Sequence, residues 1–534
     1  MIVYLIAVAV IIIVCVIFNK VSSKLGVPML LAFMLLGIFF GSDGIVKIPF
    51  DNYDIAAKVC SVALIFIMFY GGFGTKWSEA KPVAVKAVLL SSLGTIITAG
   101  LVGLFCYFVL KISLLESFLI GSVISSTDAA SVFSILRSKR LNLRNNTASM
   151  LEIESGSNDP FSYMLTIIVL SLMNGNVSPG KFGYMIFAQF VYGIVFGVII
   201  AVLTLLFFKK FTFPTPGFDA IFMVAVAIIA YAATEFVGGN GYLSTYIAGI
   251  IVGNSRIGNK QVLVNFFDGM TGLMQMLLFF LLGLLAFPSQ LPGIALTGLF
   301  IALFLTFVAR PIAVFSILTP FKSSIRQQLL VSWVGMRGAA SIVFAIMAVI
   351  DPAVTENDIF HIVFFIVLFS ILFQGTLIPF VTKKLNMTDD TADVMKTFTD
   401  YIEELPVEFI RFTIPEAHTW AGCMVRDMIL PPESILVLLI RGEEKIAPNG
   451  QTTLQTGDIL ILSGKSADKI DGVCLYERLV SGDDELAGKR ISDISSGKKL
   501  IIMIQRDGKI VIPRGDTVLM ANDILVINDA VNLP

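Results

Sequence analysis

The chain has 534 residues, of which 56% are hydrophobic and 14% charged, with a mean hydropathy of +0.86; soluble domains carry ~25% charged residues, so one soluble globule is excluded. Residues 1–384 hold 23 Lys/Arg against 15 Asp/Glu, whereas residues 385–534 hold 15 against 24, so a lipid-soluble body precedes an acidic soluble tail. Five Cys without paired or metal-like spacing, and only two His, argue against a disulfide framework, a zinc site or a resident cofactor, and no nucleic-acid partner is expected.

A hydrocarbon core of ~30 Å needs ~20 mostly apolar residues per helix. That ruler predicts 13 spans at 2–18, 28–41, 55–73, 83–109, 114–136, 148–173, 183–208, 218–237, 242–254, 265–287, 293–318, 327–350 and 358–382. The first lacks a basic n-region and a small-residue cleavage site and reads as a retained helix. Loops after odd-numbered spans carry Lys20, Lys76, Arg137, Arg144, Lys209, Arg256, Lys322 and Lys383 among others, whereas loops after even-numbered spans carry only Lys47, Lys58, Lys111 and Lys181. Basic loops stay cytoplasmic, which predicts a multi-pass protein of the cell membrane with its N-terminus outside and its tail in the cytoplasm.

Thirteen spans divide into six, a linker helix and six, the arithmetic of an inverted repeat in which span 5 matches span 12. Such transporters place their ion site near the midplane, where interrupted helices of the two halves meet. Span 5 contains Gly121-Ser-Val-Ile-Ser-Ser-Thr127-Asp128, and span 12 contains Trp333-Val-Gly335-Met-Arg337-Gly338-Ala-Ala-Ser341. Both carry a charge and small or hydroxyl residues mid-span.

A charge at the bilayer centre costs at least ~2.5–3.5 kcal/mol, so each one signals a function or a partner. Span 6 opens Leu151-Glu-Ile-Glu154-Ser155-Gly-Ser-Asn158-Asp159-Pro160. Helical spacing stacks Glu154 with Asn158 and Ser155 with Asp159. Pro160 removes a donor and predicts a local break beside the acid. Asp159, Ser155, Thr127 and Asp128 offer the oxygen ligands that a hard monovalent cation needs. A desolvated carboxylate binds a proton or a cation, hardly both, and that competition is itself an exchange mechanism. Asp128 reads equally as the N-cap of a second half-helix. Glu154 and Arg337 read as a mutually neutralising buried pair. Glu235 reads as reaching the headgroups at the outer end of span 8, and Arg310 as snorkelling or capping carbonyls.

These motifs, together with Gly241-Tyr-Leu-Ser-Thr-Tyr-Ile-Ala-Gly249 in span 9, resemble the cation:proton antiporter superfamily, in its NhaP-like sodium/potassium–proton exchanger branch, over about residues 1–385. The resemblance implies an all-α membrane fold with two broken crossing helices, and a homodimer. It implies core helices at about 83–173 and 293–382 moving against a dimerisation part at 1–73 and 183–287. It makes Asp159 the cation and proton carrier, surrounded by Asn158, Asp128 and Thr127, and maps the family's Glu–Arg pair onto Glu154 and Arg337. The resemblance also implies that an Asn-Asp pair, as opposed to Asp-Asp, marks electroneutral one-for-one exchange. Two departures stand out: Ala129-Ala130 replaces the usual Pro, predicting a milder break, and Tyr70, in Phe69-Tyr70-Gly71-Gly72, stands where relatives place an acid. A phenol carries no charge at neutral pH, so Tyr70 and Glu235 rank as accessory positions.

After a linker at 386–404, short β-type runs alternate with Pro/Gly turns. A repeat at 405–470 matches one at 471–534, with Arg441, Pro448 and Asp458 paralleled by Arg506, Pro513 and Asp523 at a spacing of 65 residues. Each copy resembles the C-terminal lobe of regulator-of-potassium-conductance (TrkA-C-like) domains, α/β units that imply a small regulatory ligand, including cyclic dinucleotides such as cyclic di-AMP, with Arg441, Pro448, Arg506 and Pro513 as candidate tail positions. No Gly-x-Gly-x-x-Gly follows a strand, so no nucleotide lobe precedes it. A tail that only holds a dimer together is the plainer reading.

The expected function is secondary monovalent-cation/proton antiport, not an enzyme activity, with K⁺ favoured over Na⁺ through the tail. A ligand-gated cation channel is the alternative, and an intramembrane aspartyl protease using Asp128 and Asp159 is a remote one.

Overall fold

The computed structural model describes residues 29–389 and 407–529 apart from short gaps, the longest at 466–474 and 494–498, together with a few residues within 9–17. The span expected at 2–18 and the linker at 386–404 therefore lie mostly outside the described residues. The chain forms two compact units, Met1–Glu403 and Glu404–Pro534.

The first unit is helical: α1 (Met29–Phe40), α2 (Tyr53–Gly74), α3 (Ala84–Phe108), α4 (Leu114–Val123), α5 (Ala129–Ser138), α6 (Thr147–Met173), α7 (Pro179–Lys210), α8 (Phe218–Phe236), α9 (Gly241–Gly253), α10 (Lys260–Leu285), α11 (Pro288–Leu318), α12 (Ile325–Trp333), α13 (Ala339–Ile350) and α14 (Ile359–Lys384). Helices occupy all twelve spans expected between 28 and 382. Seven of the described helices are long and apolar enough to cross a membrane. Apolar side chains such as Phe187, Val198 and Leu203 on α7 remain exposed, which suits a face turned to lipid. Helix starts follow the local sequence: Asn52, Asn240, Ser324 and Asp358 each accept a backbone N–H from the residue three positions on.

Span 5 is split into α4 and α5, and span 12 into α12 and α13. In each, a turn residue and four non-helical residues intervene, Ser125–Asp128 and Gly335–Gly338. The absence of Pro after Asp128 does not soften the first break, because side chains of other helices take its freed backbone groups. Pro160, by contrast, lies inside an unbroken α6, so no local break forms there. Its ring costs one backbone bond, and the surrounding helix absorbs that loss.

The tail unit is two four-stranded antiparallel sheets. In the first, strands β1 (Val407–Thr413), β2 (Ser434–Arg441), β3 (Glu444–Ile446) and β4 (Ile459–Lys465) lie in the order β1-β4-β2-β3. In the second, β5 (Leu475–Leu479), β6 (Lys499–Arg506), β7 (Lys509–Val511) and β8 (Ile524–Asp529) lie in the order β5-β8-β6-β7. The bulge between Leu436 and Leu438 recurs between Ile501 and Met503, at the spacing of the sequence repeat. Among the described residues the tail contains no α-helix, only 3₁₀ turns at Val425–Asp427 and Ile491–Asp493, so the described part of each α/β-expected repeat is its sheet.

Candidate functional site

The two breaks face each other. The N–H of Asp128 donates to the carbonyl of Met336 at 2.8 Å, and the hydroxyls of Ser126 and Ser341 lie 3.1 Å apart. Gly335 and Gly338 make this approach possible: a Cβ at Gly335 would meet the Arg310 side chain at 2.6 Å, and one at Gly338 would overlap the Asp128 carboxylate.

Every carbonyl freed from Ser125 to Thr127 has a partner. Arg337 Nη1 donates to the carbonyls of Ser125 at 2.7 Å and Ser126 at 2.6 Å, and the Ser155 hydroxyl donates to that of Thr127 at 2.8 Å. About two turns further along α6, the Ser162 hydroxyl donates to the carbonyl of Ser122 at 2.6 Å. Arg337 thus brings positive charge to the carbonyl end of α4, where the helix dipole is negative. Asp128 brings negative charge to the start of α5, accepting the N–H of Ser131 at 3.1 Å and the Ser131 hydroxyl. The N-cap reading of Asp128 is therefore realised geometrically, and Ser155 reinforces the junction by accepting the N–H of Ala129 at 2.9 Å.

Asn158 and Asp159 are buried on α6 beside this junction. Asn158 Nδ2 donates to Thr127 Oγ1 at 2.6 Å. Asn158 Oδ1 and Asp159 Oδ1 have no hydrogen-bond partner among the described residues. Two buried oxygens left without donors are costly, and they mark a place that a proton or a hard cation can stabilise. Thr127, Ser155, Asn158 and Asp159, expected to cluster, do so; Asp128 adjoins them as a cap.

The expected Glu154–Arg337 pair does not form. Arg310, on α11, is buried with Nη1 2.5 Å from Glu154 Oε1, while Arg337 is spent on carbonyls of the facing break. Arg310 neither snorkels nor caps carbonyls alone; a guanidinium that deep needs a carboxylate, and Glu154 supplies it. Glu235 does not run to the headgroups either. It accepts the Tyr163 hydroxyl at 3.2 and 3.3 Å and the N–H of Gly241 at 3.0 Å. Tyr70 donates to Asp268 Oδ1 on α10 at 3.2 Å. An acid thus adjoins Tyr70 from a neighbouring helix. The motifs do not single out Asp268; the signal that does is an ionisable residue within an apolar span.

In the tail, Arg441 Nε and Nη2 meet Asp458 at 2.8 and 2.7 Å, and Arg506 meets Asp523 at the same two distances. Both arginines also donate to a neighbouring carbonyl, of Thr453 or Val518. Each guanidinium is committed within its own repeat, which makes it a fold element. Pro448 and Pro513 sit in the loops that follow the short edge strands. No cluster of His, Cys, Asp and Glu suited to a metal ion occurs among the described residues.

Residues 8–384 match the family described as "Sodium/hydrogen exchanger, transmembrane", and residues 409–471 and 475–528 each match the TrkA-C domain. Similar proteins include the K(+)/H(+) antiporter NhaP of Alkalimonas amylolytica, 32% identical over 88% of this chain and 82% of that one. The K(+)/H(+) antiporter NhaP2 of Shewanella baltica is 31% identical over 85% and 79%. The sodium proton antiporter MjNhaP1 of Methanocaldococcus jannaschii, whose structure was solved at pH 8, shares the fold with a TM-score of 0.62 at 23% identity, over 71% of this chain and 97% of that one. The chain belongs to the sodium/hydrogen exchanger family of membrane cation/proton antiporters and carries a pair of TrkA-C domains at its C-terminal end.

Proposed function

We propose that the protein exchanges K⁺ for H⁺ one for one, by alternating access at Asp159, across a cell membrane in which it folds with thirteen passes, its N-terminus outside and its tail in the cytoplasm. The observation that carries the reading is the pair of unpartnered buried oxygens, Asp159 Oδ1 and Asn158 Oδ1, beside Thr127 Oγ1. A partly dehydrated cation finds an anionic, an amide and a hydroxyl oxygen there, which is the chemistry of hard-cation sites. A proton on Asp159 removes the anionic ligand, so the two cargoes displace one another. Asp128 is engaged as a cap, Glu154 by Arg310 and Arg337 by carbonyls. One carboxylate is left to change partners, which makes the exchange electroneutral. K⁺ is preferred over Na⁺ because relatives similar over 85% and 88% of the chain are named for it.

The inverted repeat gains support from matching irregularities: spans 5 and 12 break over the same number of residues, and spans 4 and 11 each hold a five-residue π-helical stretch, Leu90–Gly94 and Leu305–Ala309. A homodimer, with the TrkA-C pair sensing a small ligand such as a cyclic dinucleotide through loops near Pro448 and Pro513, completes the proposal. Inside-out vesicles carrying an internal pH dye test it. K⁺ should drive a reciprocal pH change without current, and Asp159→Asn should abolish the response while the protein still inserts. Current without proton counterflow would instead identify a channel.

A further inference from the structure

We propose that Glu235 is the fixed half of a latch that holds the outer side of the pathway closed by gripping Tyr163, one helical turn from Asp159. The proposal rests on the alternating access at Asp159 proposed above.

Any carrier that exposes one site to each side in turn needs a barrier on each side that opens once per cycle. Helix α6 carries Asp159 and continues toward the outer side, with Tyr163 four residues on and therefore on the same face. Tyr163 is buried, and its hydroxyl donates to both carboxylate oxygens of Glu235, at 3.2 and 3.3 Å. Immediately beside Asp159, the carbonyl of Pro160 accepts from Asn240 Nδ2 at 2.8 Å. Glu235, in the last turn of α8, and Asn240, the N-cap of α9, flank one short connection. That connection is rigid: Asn240 caps α9 by accepting the N–H of Leu243 at 3.0 Å, its own N–H donates to the carbonyl of Gln189 at 3.2 Å, and Glu235 accepts the N–H of Gly241. Tyr242 buttresses the Tyr163 ring edge-on, centroids 5.0 Å apart.

Two polar contacts therefore join the acid-bearing helix to this connection, and beyond them Phe236 is almost wholly exposed. Tyr163 and the Pro160 carbonyl thus tie the part of α6 beyond Asp159 to the end of α8 and the start of α9, and outward opening by movement of α6 away from that segment breaks both bonds. A hydroxyl donating to a carboxylate is a charge-assisted bond, stronger than one between neutral groups. That strength sets how far the resting protein favours the outward-closed state.

The test compares Tyr163→Phe and Glu235→Gln with the unaltered full-length protein in liposomes of known orientation, reading the apparent KM for K⁺ separately on each side. Loss of the latch should shift the population toward outward-open. The outer KM should then fall, and the inner KM rise, each by about 5-fold, which corresponds to about 1 kcal/mol. A packing defect would move both values in one direction or only lower the maximal rate. A second readout needs no transport: amide hydrogen exchange at residues 158–163 should quicken in Tyr163→Phe. KM values that move together, or unchanged exchange at 158–163, would overturn the latch. Absence of any proton-coupled flux in the unaltered protein, with quickened amide exchange in the variant, would overturn the transport reading and leave the latch standing.

Discussion

Arg310 Nη1 lies 2.5 Å from Glu154 Oε1, and both side chains are buried. Arg337 is buried at the same junction: its Nη1 bonds the carbonyls of Ser125 and Ser126, next to the Thr127 carbonyl that Ser155, the neighbour of Glu154, holds. A second buried cation thus stands near the acid without bonding it. Removing the acid should cost more than removing either arginine, because Arg310→Gln leaves Glu154 with Arg337 nearby, whereas Glu154→Gln leaves two cations unopposed. Breaking a buried pair costs about 3–5 kcal/mol, and Glu154→Gln should reach that range while Arg310→Gln falls below it. Thermal unfolding in detergent, with inserted yield, checks the order, and a Glu154→Gln protein more stable than Arg310→Gln would refute this account.

Ser155 both donates to the Thr127 carbonyl and accepts the Ala129 N–H, spanning the break in span 5. Ser155→Ala orphans a buried carbonyl and an N–H, each costing about 1–3 kcal/mol, and loosens the position of Thr127. The KM for K⁺ should rise at least 10-fold and equally on the two sides, since the site itself is damaged. Sided flux measurements would show whether the rise is symmetric.

How much of this was legible in the sequence depends on which residues are considered. The oxygen-rich strip on α6 was readable because helical spacing fixes which side chains share a face, and the breaks were readable because mid-span charges and small residues mark them. Arg310 was not, because its partner is set by the depth at which α11 crosses α6, a tertiary distance no periodicity encodes. Gly335 hinted at it only in retrospect, by leaving room for that guanidinium. Pro160 misled for the opposite reason: a proline predicts a lost hydrogen bond, but packing on every side kept the helix intact. The 65-residue repeat was fully visible, since duplicated turns and strands leave duplicated letters.

Asp268 extends the set of acids beyond those the motifs supply. It is exposed on α10, where it is the only acid, and accepts the Tyr70 hydroxyl. If the cation path runs past Tyr70, the position where the family resemblance puts an acid, a fixed charge there concentrates cations locally without entering the exchange step. Asp268→Asn should therefore raise the KM for K⁺ about 3-fold or more at low ionic strength, with the maximal rate retained and the effect fading as salt screens it. A lost maximal rate would instead make Asp268 part of the carrier.

The paired tail arginines lead to a prediction about acid. Hydrogen bonds from Arg441 and Arg506 hold the carboxyls of Asp458 and Asp523 below the usual carboxylate range. A depressed carboxyl contributes stability that is present above its unfolded value of ~3.9 and is lost as pH falls through the lower folded value. The tail sheets should thus keep their contribution down to about pH 4 and lose it only below that. Asp523 is fully buried whereas Arg506 is about a quarter exposed, so the two partners are not equivalent. Arg506→Gln strands a buried charge and should cost about 3 kcal/mol, while Asp523→Asn leaves an arginine able to turn to water and should cost about 1 kcal/mol. Amide hydrogen exchange across β6 and β8 in the full chain measures both. Equal losses in the two variants would show that the pair, and not the buried carboxylate, sets the stability of the repeat.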